Sequence, residues 1–176
     1  MPKRPNSDGA FDLKLKAARQ WERRAAEWAR KRGWYVLATY DFSGLGENKA
    51  PRFMAPPRLA DLVLPDLVCF SDGRGRWLEV KWKARADFNR SRGYDVTGIS
   101  KRLWSHYGAV EMATGIDVAI MFIHQAEEEV RGDWMRGLRG YISHEYDGGK
   151  MGRSGMVFWE YARIPRWGSL AMLEAR

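Results

Sequence analysis

The alternation of apolar and polar positions divides the chain into helices, strands and long irregular stretches. Residues 12–32 are rich in Lys, Arg, Ala, Glu and Gln. They place Trp21, Ala25, Trp28 and Ala29 on one stripe at ~100° per residue, which predicts an amphipathic helix. Gly33 follows a cationic last turn of Arg30, Lys31 and Arg32 and suits the residue that ends a helix. WYVLATY (34–40), dense in aromatic and β-branched residues, predicts a strand. Residues 41–61, with Gly44, Gly46, Pro51, Pro56 and Pro57, predict an irregular segment of a length that usually serves function.

LVLPDLVCF (62–70), SDGRGR (71–76) and WLEVKWK (77–83) read as two strands joined by a glycine-containing hairpin turn. Residues 84–97 read as a basic loop. Residues 99–115 predict a second helix, with Leu103, Tyr107 and Val110 on one side and Gly115 as its stop. DVAIMFIH (117–124) predicts a buried strand. Residues 125–176 read as a C-terminal extension with a short helix and an edge strand at 156–164. The order α-β-β-β-α-β over a core of residues 12–124 predicts one α/β domain spanning 1–176, with a central mixed sheet flanked by helices.

Composition narrows the partner. The 176 residues suit one domain, and a 45% apolar content is enough for a core. The surplus of 30 Lys and Arg over 22 Asp and Glu, a net charge of +8, favours a polyanionic partner. No apolar run approaches the roughly 18 residues of a membrane span, and the basic N-terminus lacks the apolar stretch of a secretory signal. The single cysteine, Cys69, rules out a disulfide framework and a Cys-based zinc module. The expected setting is therefore cytoplasmic. His106, His124 and His144 are too scattered for a histidine metal site, and no fingerprint for a nucleotide cofactor occurs.

The chemistry is concentrated in Pro65-Asp66 and Glu79-Val80-Lys81. Acid-x-Lys triplets also occur at Asp12-Leu13-Lys14 and Glu47-Asn48-Lys49, but only the third lies in a predicted strand behind a Pro-Asp. Residues i and i+2 of a strand share a face, so Glu79 and Lys81 project together with Trp77, while Leu78, Val80 and Trp82 face the other way. A hairpin partner in suitable register sets Asp66 beside Glu79. Two such carboxylates repel unless a cation lies between them, and oxygen ligands suit Mg²⁺ or Mn²⁺. A neighbouring lysine can hold a water and steady developing phosphate charge. A cross-strand ion pair on a solvated face is the plainer alternative. The apolar flanks Leu62-Val63-Leu64 and Leu67-Val68, with the basic surplus, favour a phosphodiester-cleaving site.

Pro65-Asp66 followed by Glu79-Val80-Lys81, on a hairpin between two helices, resembles the PD-(D/E)XK nuclease superfamily. The element order resembles its Holliday junction resolvase branch and related phage-type nucleases. The resemblance implies a restriction-endonuclease-like core in which Asp66, Glu79 and the Val80 carbonyl bind the metal and Lys81 is the catalytic lysine. It implies hydrolysis to a 5′-phosphate and a 3′-hydroxyl, branched DNA as substrate in recombination, and a homodimer, since two symmetric cuts need two sites. It also implies a glutamate on the first helix. Glu22 lies at the edge of the apolar stripe beside Ala18 and Ala29, and Glu27 lies opposite among Gln20, Arg24 and Lys31, so Glu22 is the expected ligand. Ser43 matches a serine-containing loop after the first strand. The second helix lacks the glutamine common in that branch and offers Lys101, His106 and Tyr107 instead.

Basic residues concentrate on the first helix and after the site, at Lys83, Arg85, Arg90, Arg92, Lys101 and Arg102. The second group flanks the acidic motif and forms the expected DNA-binding surface, of the salt-sensitive, shape-reading kind.

Overall fold

The computed structural model describes residues 7–39, 52–53, 61–148 and 155–174. A long helix, α1 (Ser7–Lys31), leads into strand β1 (Tyr35–Ala38) through Gly33, whose φ of +82° is the left-handed turn expected there. Strands β2 (Arg52–Phe53) and β3 (Leu62–Val63) pair with each other. Strands β4 (Leu67–Ser71) and β5 (Arg74–Lys83) form the predicted hairpin, followed by β6 (Asp87–Asn89), β7 (Tyr94–Ser100), helix α2 (Lys101–Thr114) and β8 (Val118–His124). The chain continues through β9 (Glu129–Trp134), α3 (Met135–Gly140), β10 (Ile142–Tyr146), β11 (Met156–Glu160), β12 (Arg166–Ser169) and α4 (Ala171–Glu174).

Among the described residues the main sheet has six strands in the order β1-β4-β5-β8-β9-β12. Its pairs are antiparallel except β5 with β8, which run parallel because α2 lies in the crossover between them. Every residue of β8 is buried, as its unbroken apolar run predicts for a strand covered on both faces. One face packs on α1 through Trp21, Ala25, Ala29, Leu78, Val80 and Met121. The other packs on α2, α3 and a second sheet through Trp77, Tyr107, Ile120, Phe122, Leu138 and Trp159. The expected mixed sheet flanked by helices, with the core order α1, β1, β4, β5, α2, β8, is the fold observed.

Several boundaries differ from the sequence reading. The stretch 62–70 is two strands rather than one, since Pro65 has no N–H for a ladder and the chain bends at Asp66. Residues 84–97, expected as a loop, contain β6 and most of β7. The second helix begins at Lys101, capped by Ser100 Oγ, which accepts the Leu103 N–H at 3.2 Å. The segment 156–164, expected at an edge, supplies β11, an interior strand of a four-stranded sheet in the order β10-β11-β7-β6. The C-terminal part is thus built into both sheets, because β9 and β12 complete the main one.

Candidate active site

The β4–β5 register sets the site. Leu67 lies opposite Leu78, so one step beyond the end of the ladder Asp66 stands across from Glu79. Asp66 occupies the bend before β4, where Thr39 fixes the backbone. The Thr39 N–H donates to the Asp66 carbonyl at 3.0 Å, and the Thr39 hydroxyl lies 2.7 Å from the Pro65 carbonyl oxygen and 2.9 Å from that of Asp66. The Asp66 side chain turns back toward β5, and its Oδ2 accepts the Val80 N–H at 2.8 Å. The Val80 side chain is buried against the α1 face.

Glu79 is only 1% exposed, so its carboxylate depends on donors supplied within the site. Lys81 Nζ forms an ion pair with Glu79 Oε1, and the Tyr107 hydroxyl is within reach of the same carboxylate. Glu22, on α1, is also buried, and its Oε2 has no partner among the described residues. Leaving a buried carboxylate oxygen unsatisfied is costly, so the Glu22 Oε2 is an acceptor in want of a cation or donor.

The charges are strongly coupled. Burial first, and then the Glu79 charge, raise the Glu22 carboxyl to about 7, against the opposing pull of Lys81 and Arg19. Burial and Glu79 likewise hold Asp66 well above the usual carboxylate range, although Lys81 and the Val80 N–H favour its charged form. Burial works to lower the pKa of Lys81, but attraction to Glu79 and Asp66 outweighs it and keeps the ammonium protonated beyond its ordinary range. Burial, then the nearby carboxylates, keep the Tyr107 phenol neutral. The result is three acidic groups around one ammonium, with part of the negative charge removed by bound protons.

The structure brings together Asp66, Glu79, Lys81 and Glu22. Tyr107, expected as a DNA contact, is instead 2% exposed and faces the acids from α2. A hydroxyl on the apolar stripe of the second helix is the sequence signal for this. His106 is also committed, since its Nδ1 lies 3.3 Å from the Val63 N–H, which ties α2 to β3. Lys101 pairs with Glu145 at 2.5 Å and with Asp147. Lys83 is half-buried, and burial lowers its pKa. Arg85, Arg90, Arg92 and Arg102 are exposed. Ser43 lies outside the described residues. Thr39, which sequence reasoning does not single out, carries no local signal of its anchoring role.

Among the described residues no group of three or more His, Cys, Asp or Glu side chains is arranged to hold a metal ion. The donors nevertheless suit Mg²⁺ or Mn²⁺ chemically, because such an ion often takes one or two carboxylates and keeps several waters. Glu79 and Asp66 beside it provide that pair, and Glu22, with its unpartnered Oε2, stands next to them. No helix is long and apolar enough to cross a membrane.

No family model and no curated protein matches the chain. Among solved structures, it is similar to Hjc, a Holliday junction resolvase from the archaeal hyperthermophile Archaeoglobus fulgidus, with 10% identity and a TM-score of 0.49 over 81% of this chain and 88% of that one. It is also similar to a nuclease from a fusselovirus, with 11% identity and a TM-score of 0.43 over 98% of this chain and 93% of that one.

Proposed function

We propose that this protein is a metal-dependent DNA endonuclease that hydrolyses phosphodiester bonds, selective for branched DNA in the manner of a Holliday junction resolvase. The observation that carries this reading is a cluster of acids around one ammonium: buried Glu79, paired with Lys81, with Asp66 beside it and with Glu22, whose buried Oε2 has no partner among the described residues. A purely structural ion pair would have no use for two further acids around it, one buried and one half-buried, whereas a site that receives a divalent cation and an anionic phosphate does.

Asp66 and Glu79 would hold the ion, with the Val80 carbonyl as a further ligand and Glu22 beside them. When bound, Mg²⁺ or Mn²⁺ neutralises the carboxylates, polarises the scissile phosphate and acidifies a water. The protein's own groups have separate tasks. The neighbouring acids favour Lys81 as an ammonium, which donates to the phosphate oxygens and to the attacking water and stabilises charge as it develops. The neutral Tyr107 hydroxyl, on α2, orients Glu79. The Val80 N–H fixes the Asp66 carboxylate through its Oδ2. Exposed Arg85, Arg90, Arg92 and Arg102 carry the phosphate backbone, and two protomers supply the two cuts a four-way junction requires.

The test is cleavage of a four-way junction, a flap, a duplex and single strands, each with Mg²⁺ or EDTA, by the wild type and by Asp66→Asn and Lys81→Ala. Metal-dependent cutting of the junction, lost in both variants, is expected. Binding without any cutting would reduce the protein to a DNA-binding module, and equal cutting of all four substrates would remove the junction selectivity.

A further inference from the structure

A group of polar side chains lies apart from the acids, on the four-stranded sheet. A bulge interrupts the β10–β11 register between Ile142 and His144, with Ser143 as the extra residue. Regular alternation would turn Ser143 and His144 to opposite faces. The bulge brings them together, so that Ser143 Oγ lies 3.1 Å from His144 Nδ1. The His144 ring stacks on Phe158, with centroids 4.8 Å apart and planes within 12°. Phe158 lies over Gly98, where a Cβ would meet its ring at 2.7 Å. His144 thereby reaches across the sheet, and its Nε2 lies 3.2 Å from Asn89 Nδ2 on β6. The Tyr94 hydroxyl, on β7, lies 2.6 Å from Ser143 Oγ.

The donors in this chain of contacts can be put in order. Asn89 Oδ1 accepts the Ser91 hydroxyl at 2.8 Å and the Arg92 backbone N–H at 3.3 Å. A backbone N–H can only donate, so the amide oxygen faces the turn and Nδ2 faces His144. His144 Nε2 is then the acceptor. Burial, followed by the Arg92 charge, lowers the His144 pKa and favours a neutral ring with its proton on Nδ1. That N–H donates to Ser143 Oγ, which leaves the Ser143 O–H to donate to Tyr94. The Arg92 guanidinium donates to the same phenolic oxygen. The Ser143 bond first, and Arg92 with it, lower the Tyr94 pKa against burial and the Glu160 charge. Tyr94 Oη is thus an acceptor from within the protein, and its own O–H is left to donate outward beside exposed Arg92.

We propose that Tyr94 and Arg92 bind one phosphodiester of a DNA backbone, with Ser143 and His144 as positioning residues that hold the Tyr94 O–H as a donor. A phosphate brings acceptor oxygens only, and this pair presents donors only. Exposed Arg90, on the same turn, favours a polyanion over a single free phosphate. The site rests on the DNA-binding reading above and adds to it a neutral contact that net charge does not reveal.

Two measurements test it. In ¹⁵N-labelled full-length protein at about pH 8, imidazole correlations should show His144 as the Nδ1–H tautomer, its signal identified by its loss in His144→Phe. Anisotropy titrations with a DNA duplex in EDTA compare the wild type with variants. Tyr94→Phe should weaken binding about tenfold and leave the slope of log K against log salt unchanged, since a neutral donor releases no counterion. Arg92→Ala should weaken binding and reduce that slope by about 0.9. The double variant should lose less than the product of the two single effects, because both act on one phosphate; a Tyr94 that served folding alone would show no such coupling. A wild type that does not bind DNA would remove the DNA reading and this site with it. Where the wild type binds, an Nε2–H tautomer at His144, undiminished affinity in Tyr94→Phe, or independent losses in the double variant would overturn the site alone.

Discussion

Replacing Glu22 with glutamine removes a charge from the acidic cluster while keeping the side chain's shape, and its effect should depend on pH. Glu22 has an ordinary carboxyl pKa of 4.5 when unfolded and one of about 7 in the fold, chiefly through burial and the Glu79 charge. A carboxyl whose folded pKa is raised destabilises the fold as it is forced to ionise, so the wild type loses stability as pH rises from 4.5 to about 7. With one pKa unit worth about 1.4 kcal/mol, the loss between about pH 5 and about pH 8 comes to roughly 2–3 kcal/mol. Glu22→Gln escapes it. Removing the charge also eases ionisation of Asp66, which adds in the same direction. His124 titrates with the opposite sign in part of this window but is common to both proteins and cancels. Urea unfolding in EDTA, followed by tryptophan fluorescence at both pH values, measures the difference. Glu22→Gln should gain about 2–3 kcal/mol over the wild type on going from about pH 5 to about pH 8. A gap between the two proteins that stays constant to within about 0.5 kcal/mol would refute the placement of Glu22 in the coupled cluster.

Mg²⁺ should stabilise the wild type more at about pH 8 than at about pH 6, because the ion must displace protons held by Glu22 and Asp66; melting curves against metal concentration report it, and a pH-independent gain would contradict the charge coupling. His124 is fully buried, and burial, then the Lys83 charge, lower it to about 4, so the fold should lose stability as pH falls from 6.5 to about 4. His124→Phe should remove roughly 3 kcal/mol of that acid sensitivity, read from denaturant midpoints across the window. Arg90→Ala with Arg92→Ala should weaken DNA binding at all sequences, and anisotropy titration in EDTA should show the slope of log K against log salt reduced by about 0.9 for each duplex phosphate left without its arginine. Phe122→Ala, beneath Trp159 with ring centroids 5.7 Å apart, should destabilise the fold by about 3–5 kcal/mol in urea unfolding.

Local signals carry much of the fold. The stripe of Trp21, Ala25 and Ala29 does face the sheet, and the apolar run of β8 is the buried strand it promises. Both are properties of a short window. Pairings between distant segments are not legible in this way. Strand β7 joins β11, Thr97 opposite Trp159, and nothing within residues 84–97 announces a partner far along the chain. The strand at Met156–Glu160 holds four apolar residues before Glu160 but no signal of its neighbours, and only the arrival of β10 on one side and β7 on the other makes it interior. Pro65 is visible in the sequence, yet the apolar residues on either side of it read as one continuous strand and hide the break it imposes. At the site, the spacing of Glu79 and Lys81 and the hairpin register follow from strand geometry. The roles of Tyr107, Lys101 and His106 do not, because each depends on which distant group arrives opposite it: Glu79, Glu145 and the Val63 N–H.

The hydrogen bond from the Val80 N–H to Asp66 has a consequence for the chain's history as much as for its chemistry. Where the β4–β5 ladder stops, a side chain replaces the missing strand, so Asp66 also closes the end of the sheet. Aspartate can then be exchanged for asparagine with an acceptor still in place, whereas alanine would strand a backbone donor in a half-buried position. Relatives that have abandoned hydrolysis but kept this fold should carry asparagine, or another residue able to accept that N–H, at this position, and should seldom carry alanine or glycine.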